Sequence, residues 1–396
     1  MTGLTRLSGE RPSRTHRPVE AGSVRLAWVY DFDGCKTPTG VTRHALAQLD
    51  GLAARREVDL RVISGRMNSS EGLMRWNALG DVRRAELPVS TRNALRFWRV
   101  CDAPAVEWWS GAVDWVYSPS DYMIPTRGAR RAVTCHDILQ DLRYGSERRR
   151  QNLARTYERA DLILSVSRFN TERFAEAFPQ CRDKVELVPN AAEDLFFDPA
   201  PALDRANARA TIGLPPGMPY LLSVANFQPR KNLPRLVRAV AELEEVRRGE
   251  LALVLLGEGD EEYIRPIREA IANLPKKAIV TLPGYRQGTD LRAIYAEAEA
   301  LVFPSLCESF GIPTVEAMAQ GTPIVLANNT ALPEIGAEAG WYFEPESEPS
   351  IATTLRAVLD NPTERRRRTH LGQTRAARFR WSTATDRLLT ALRGRS

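Results

Sequence analysis

Phe303-Pro-Ser-Leu-Cys-Glu308-Ser-Phe310-Gly311-Ile312-Pro313-Thr-Val-Glu316-Ala-Met-Ala-Gln-Gly321-Thr-Pro323 reads as a strand end, a loop, a helix and the approach to another strand. The helix is expected to begin at Pro313, because proline suits the first helical position. The amides of Phe310, Gly311 and Ile312 then sit at a helix N-terminus. Unpaired N–H groups and the helix dipole both favour an anion there. Gly311 lets a ligand approach the backbone closely. Glu308 and Glu316 flank this point, and an ionised carboxylate can accept from two hydroxyls. Taken alone, Glu316 could merely sit in the helix and Glu308 could be solvated.

The same alternation runs outward in both directions. Candidate strands in the first half are Val24–Tyr30, Val58–Ile63, Ala112–Tyr117, Ala132–Cys135, Leu162–Val166 and Val185–Val188. Helical patterns fall between them at Val41–Ala54, Arg92–Val100, Glu147–Arg159 and Arg168–Phe178. Apolar runs separated by helices imply parallel sheets covered on both faces. The stretch 196–217, with Pro199, Pro201, Pro215 and Pro216, reads as a linker. A second series follows at Tyr220–Ala225, Leu251–Leu256, Ala278–Leu282, Ala300–Phe303 and Pro323–Leu326. The fold class is therefore α/β, with two successive doubly wound units.

Bulk composition bounds the function. The 396 residues suggest about two domains at roughly 150 residues each. A formal charge of +6 suits an anionic substrate or membrane surface and does not demand nucleic acid. Cys35, Cys101, Cys135, Cys181 and Cys307 are scattered, odd in number and form no C-x-x-C pair, as in a cytoplasmic protein with reduced thiols. Four widely spaced histidines give no zinc pattern. No run approaches the ~18 apolar residues of a membrane span. Residues 1–22 are Arg-rich and polar, with no signal-peptide core, and read as a flexible arm.

A second chemical segment is Ser223-Val-Ala225-Asn226-Phe-Gln-Pro229-Arg230-Lys231-Asn232-Leu-Pro. It joins a strand end to a helix start, with Asn232 as the expected N-cap. Arg230 and Lys231 could neutralise a diphosphate, the first as a fork and the second as a point charge. An exposed basic pair is the plainer alternative. Thr134-Cys-His136-Asp137 also ends a strand, although a lone histidine there can equally belong to the core.

Together these segments resemble the retaining family-four glycosyltransferases of GT-B fold, in which two Rossmann-like domains face a cleft. The marks are Glu308-x7-Glu316, the Pro-Arg-Lys-Asn stretch, the glycine loop Gly40-Val-Thr-Arg43, Thr134-Cys-His136-Asp137, Ser165-Val-Ser167 and Val188-Pro189-Asn190-Ala191. Leu255-Leu-Gly257-Glu-Gly259, Pro283-Gly284-Tyr285 and a closing helix from Trp381 extend the likeness over nearly the whole chain. The resemblance implies an acceptor-side domain over 23–198, a linker over 199–217, a nucleotide-sugar domain over 218–378 and a helix at 379–396 crossing back to the first domain.

It also implies roles. Glu316 would bind the donor ribose and Glu308 the transferred sugar. The amides of Phe310, Gly311 and Ile312, with Lys231 and Arg230, would hold the diphosphate, and Gly40 would add a backbone donor from the opposite domain. Asn226 would line the donor site. His136 would lie near the reacting centre, with Asp137, Arg43 and Asp33 on the acceptor side. The partners implied are a nucleotide sugar, such as GDP-mannose or a UDP- or dTDP-sugar, and a glycan, lipid-linked or small-molecule hydroxyl. No cofactor, metal or nucleic acid is implied.

The sequence departs from the family in places. Ala225 stands where many members carry a glycine followed by arginine. Pro189-Asn190-Ala191-Ala192-Glu193 replaces the familiar Pro-Asn-Gly-Val-Asp. Glu308-Ser309-Phe310-Gly311 replaces Glu-Gly-Phe-Gly.

Two other readings compete. Tyr30-Asp31-Phe32-Asp33-Gly34 resembles the first motif of haloacid-dehalogenase-type phosphatases, which would need magnesium; the plainer role for Asp31 and Asp33 is turn chemistry. A non-catalytic sugar-binding protein would tolerate loss of Glu308 and Lys231. Arg92, Arg96, Phe97, Trp98, Arg99, Trp108 and Trp109 could form a basic, aromatic contact with the inner face of a membrane, or pack as core.

Overall fold

The computed structural model describes residues 22–34 and 39–395. Cys35 and nearly all of the expected N-terminal arm lie outside them. The first half builds a parallel sheet from β1 (Val24–Val29), β2 (Val58–Gly65), β3 (Arg83–Leu87), β4 (Trp115–Ser118), β5 (Arg130–Cys135), β6 (Leu162–Ser165) and β7 (Val185–Leu187), in the order β3-β2-β1-β4-β5-β6-β7. The second half builds another from β8 (Tyr220–Val224), β9 (Ala252–Leu256), β10 (Ile279–Gly284), β11 (Ala300–Phe303), β12 (Ile324–Ala327) and β13 (Gly340–Phe343), in the order β10-β9-β8-β11-β12-β13. Central strands such as β4, β9 and β11 are buried at every residue, which is why their sequences run apolar without alternating.

Both sheets reverse their winding once, between β1 and β4 and between β8 and β11. Ligands of open α/β sheets bind in the crevice beyond the strand ends at such switch points. The loops after β8 and β11 carry Arg230, Lys231, Glu308 and Gly311, and the loop after β1 leads to Gly40 and Arg43.

The expected linker is not without structure. Ala202–Thr211 is a helix that packs on the 288–297 helix, with Arg205 and Arg209 both paired to Glu297 at 2.6 and 2.7 Å. The prolines stand outside it, at 199, 201, 215 and 216, so they bound the helix and do not interrupt it.

Asn232 does not cap the 233–240 helix. Its backbone is left-handed (φ 58°), and its side-chain amide donates to the carbonyls of Pro304 and Pro345 at 3.1 and 2.7 Å. It thus ties the β8 loop to the β11 loop. A second tie is Leu306 N–H to the Arg230 carbonyl at 2.8 Å.

The last helix, Trp381–Gly394, belongs to the core of the first half. Trp381, Ala384, Leu388, Leu389 and Leu392 cluster with Leu26, Trp28, Leu49 and Trp115. Thr385 donates to Gln48 at 3.1 Å within that contact.

Candidate active site

The 312–319 helix starts from Gly311, whose φ of 86° is one that side-chain-bearing residues rarely adopt. A Cβ there would also lie 2.9 Å from Leu332 Cδ2. Among the described residues no side chain caps this N-terminus, so its amides keep their capacity for an anion. The Phe310 ring is core, edge-on to Phe379 at 5.5 Å, and Ile312 is buried, so what either could offer a ligand is its backbone. Thr314, in the first turn, holds a buried hydroxyl without a protein partner among the described residues.

Lys231 reaches across to the Glu308 carboxylate, and both side chains are about one-tenth exposed. Arg230 lies 3.6 Å from the same oxygen and donates to the Cys307 carbonyl at 2.9 Å. Burial pushes the Lys231 ammonium down, and Glu308 offsets only part of this. Burial pushes the Glu308 carboxyl up, but Lys231 and Arg230 outweigh it and hold it below the ordinary carboxylate range. The result is two cations and one carboxylate beside a helix N-terminus.

Glu316, inside the same helix, is fully buried. It accepts from the Tyr295 hydroxyl at 2.9 Å and from Arg43 of the first half. Arg43 belongs to the first half, as the acceptor-side expectation has it, and its side chain reaches across to Glu316, where the starts of the 40–53 and 312–319 helices approach each other. A Cβ on Gly40 would stand 3.8 Å from Ile312 Cδ1. Arg43 also meets Glu193 at 3.1 Å.

His136 ends β5 on the opposite wall. Its Nε2 lies 2.8 Å from the Pro119 carbonyl, so that nitrogen carries the proton and Nδ1 is left as an acceptor. Burial pushes the ring down to about 4, which keeps it neutral at pH 7. The buried His44 ring meets it edge-on at 4.7 Å and is fixed by Asn190 at 2.8 Å. Asp137 caps the 138–144 helix through Gln140 N–H. Burial pushes it up to about 6; Arg230 opposes this and Glu308 adds to it. Arg230, Lys231 and Glu308 all act on the Asp137 charge.

The structure therefore gathers Glu308, Lys231, Arg230, Glu316, Phe310, Gly311, Ile312, Gly40, Arg43 and Asp137 about one cleft, with His136 on its wall. Asn226 is partly exposed in the loop after β8. Asp33 does not join them: its carboxylate accepts from the Asn68 and Ser69 amides and the Ser69 hydroxyl at 2.8, 3.0 and 2.8 Å, securing the turn into the 70–78 helix. Tyr295 and Glu193 carried no sequence signal. Tyr295 sits among the apolar residues of its helix, and Glu193 was read only as part of a landmark. Among the described residues, no group of three or more His, Cys, Asp or Glu side chains could hold a metal ion.

Two family descriptions divide this chain as its sheets do. "Glycosyltransferase Family 4" matches residues 38–194 and "Glycosyl transferases group 1" matches 204–375. The chain belongs to the family-four glycosyltransferases. The transferase is 26% identical over 382 residues to the O-antigen chain mannosyltransferase B of Escherichia coli, covering 89% of this chain and 95% of that one. It is 32% identical over 238 residues to a D-inositol 3-phosphate glycosyltransferase of Nocardia farcinica, 58% of this chain and 52% of that one. Among solved structures, Anabaena HepE in complex with UDP-glucose superposes with a TM-score of 0.74 at 16% identity, over 93% of the transferase and 99% of HepE. WaaG, a glycosyltransferase involved in lipopolysaccharide biosynthesis, gives 0.62 at 17% identity over 89% and 95%. These likenesses carry the GT-B fold.

Proposed function

We propose that this glycosyltransferase moves a hexose from a nucleotide-diphosphate sugar to a hydroxyl acceptor in glycan or glycoconjugate assembly, with retention of configuration. The observation that carries this is the placement of Lys231, Arg230 and Glu308 at the uncapped N-terminus of the 312–319 helix, with Glu316 one turn further in. The diphosphate lies on the 310–312 amides and the two cations. The ribose hydroxyls donate to Glu316, and the transferred sugar meets Glu308. Mannose is the sugar favoured by the mannosyltransferase relative, which makes GDP-mannose the first donor to test, with UDP- and dTDP-sugars as competitors.

The bond from the anomeric carbon to the diphosphate oxygen breaks as charge builds on the leaving phosphate. Preorganised amides and cations in a water-poor cleft stabilise that charge most. The acceptor oxygen bonds to the anomeric carbon on the same face, and its proton passes to the departing phosphate oxygen. His136, neutral with Nδ1 open, accepts from a sugar or acceptor hydroxyl. No side chain is assigned as a covalent nucleophile; a trapped glycosyl–enzyme adduct overturns this route.

A thermal-shift and hydrolysis panel of nucleotide sugars tests the reading, using wild type and Glu316→Ala with and without EDTA. One nucleotide class should stabilise only the wild type. Magnesium-dependent phosphate release without nucleotide binding would instead favour a phosphatase.

The enzyme's place at the inner face of a membrane is part of the same proposal. Trp98 is core, but Phe97, Val100 and Trp108 are 53%, 83% and 69% exposed, close in sequence to the exposed Arg92, Arg96 and Arg99. Apolar side chains among arginines suit an anionic bilayer surface. Wild type should float with anionic vesicles and Trp108→Ala/Arg96→Glu should not; equal flotation of both removes this surface.

A further inference from the structure

Glu316 shows an arrangement that donor binding must change. Its carboxylate is 0% exposed and both oxygens are engaged, one by Tyr295 at 2.9 Å and the other by Arg43. Tyr295 belongs to the same half and fixes the carboxylate's orientation. Arg43 comes from the other half and covers the cleft side. Ribose hydroxyls are donors, as Arg43 is, and would compete with it for the same oxygen. A buried carboxylate stripped of its partner is strongly disfavoured, so Glu316 keeps Arg43 unless another donor replaces it.

Arg43 also has somewhere to go. Glu193 lies 3.1 Å from its guanidinium, is about half exposed, and follows β7 on Arg43's side of the cleft. Burial works against the Arg43 charge, and Glu316 and Glu193 together more than offset it. The guanidinium thus stands between a sealed carboxylate that the donor needs and a half-exposed one that it does not. The two halves approach each other one turn away as well, where Gly40 faces the Ile312 side chain.

We propose that Arg43 is a placeholder for the donor: it pairs with Glu316 until ribose hydroxyls replace it, and ribose binding moves it onto Glu193. This rests on the reading of Glu316 as the ribose carboxylate. Affinity for the nucleotide is then lowered by the fraction of enzyme held by Arg43, a penalty that removing Arg43 lifts.

Calorimetric titration with UDP, GDP and dTDP tests this on wild type, Arg43→Ala, Glu193→Ala, the double variant and Glu316→Ala. Arg43→Ala should bind the preferred nucleotide about threefold to tenfold more tightly. Glu193→Ala, which removes the alternative partner, should bind it more weakly, and the double variant should match Arg43→Ala. Weaker binding in Arg43→Ala makes Arg43 an ordinary donor contact and overturns the proposal. Unchanged binding overturns it too. If Arg43→Ala fails to fold, Glu193→Ala decides: unchanged or tighter binding overturns the proposal. Loss of binding in Glu316→Ala alone leaves the donor reading standing while the Arg43 results decide the placeholder. A wild type that binds none of the three nucleotides removes the donor reading and the placeholder with it.

Discussion

The Lys231 ammonium and the Glu308 carboxylate form a buried ion pair that bridges the loops after β8 and β11. Removing one partner strands the other charge, which typically costs about 3–5 kcal/mol. Arg230, at 3.6 Å, softens this for Glu308. Lys231→Ala should therefore lose about 2–4 kcal/mol in urea denaturation. Its turnover should fall by about 10²–10³, the scale for losing one preorganised charge-stabilising donor. Adding Glu308→Gln should recover much of the stability and none of the turnover. Recovery of both would make the pair purely structural.

Gly311→Ala tests the helix N-terminus without touching a charge. The left-handed backbone strains any side chain, by about 1–2 kcal/mol, and the new Cβ presses on Leu332. Relieving that strain turns the 310–312 amides away from the proposed diphosphate position. Nucleotide-sugar affinity should drop by about tenfold or more, comparable to losing a charged hydrogen bond, while Lys231 and Glu316 remain in place. Unchanged affinity by calorimetry would remove the amides from the donor site.

Asp137 gives a prediction in pH. Burial raises it from 3.8 to about 6, so the folded chain binds its proton more tightly than the unfolded chain does. Its neutral form is favoured by folding. Stability from this group is fully present below pH 4 and falls as pH rises towards 6. Asp137→Asn keeps a capping side chain and removes the charge. It should match wild type near pH 4 and be more stable by about 1–3 kcal/mol at pH 7. An equal difference at both pH values would assign the effect to the cap.

Much of this site was legible because strand ends, glycine and charge leave local marks. Glu308, Gly311 and Lys231 each sit within a few residues of an apolar run, so their loops could be located without the fold. β3 and β13 were missed: they are edge strands, and Arg83-Arg-Ala-Glu-Leu87 lacks the apolar run of a strand buried on both faces. Arg43 stands in the first half, where the glycine-loop resemblance puts it, but its contact with Glu316 has no mark in the sequence. Its partner Glu316 is 273 residues away, and only the closure of two sheets brings them together. Tyr295 was invisible for the related reason that its hydroxyl matters only where its helix meets Glu316.

The final helix packs into the core of the first half. Leu388 is fully buried among Leu26, Trp28 and Trp115, residues of the first half. If the helix merely rested on the first half, truncating Leu388 would cost little. As a component of that core, it leaves a cavity that neighbours on β1 and β4 cannot close without moving the sheet. Leu388→Ala should then cost about 2–5 kcal/mol. The unfolding should be read by tryptophan fluorescence, since Trp28, Trp115 and Trp381 share the cluster. Because Ala192 N–H bonds the Phe379 carbonyl at 3.1 Å just before the helix, the loss should loosen the crossing between the halves as well. Nucleotide binding, which in the proposed site draws on Gly40 from one half and the 310–312 amides from the other, should weaken although none of these groups is altered. A cost below about 1 kcal/mol, the range of a surface change, would place the helix outside the folding unit of the first half.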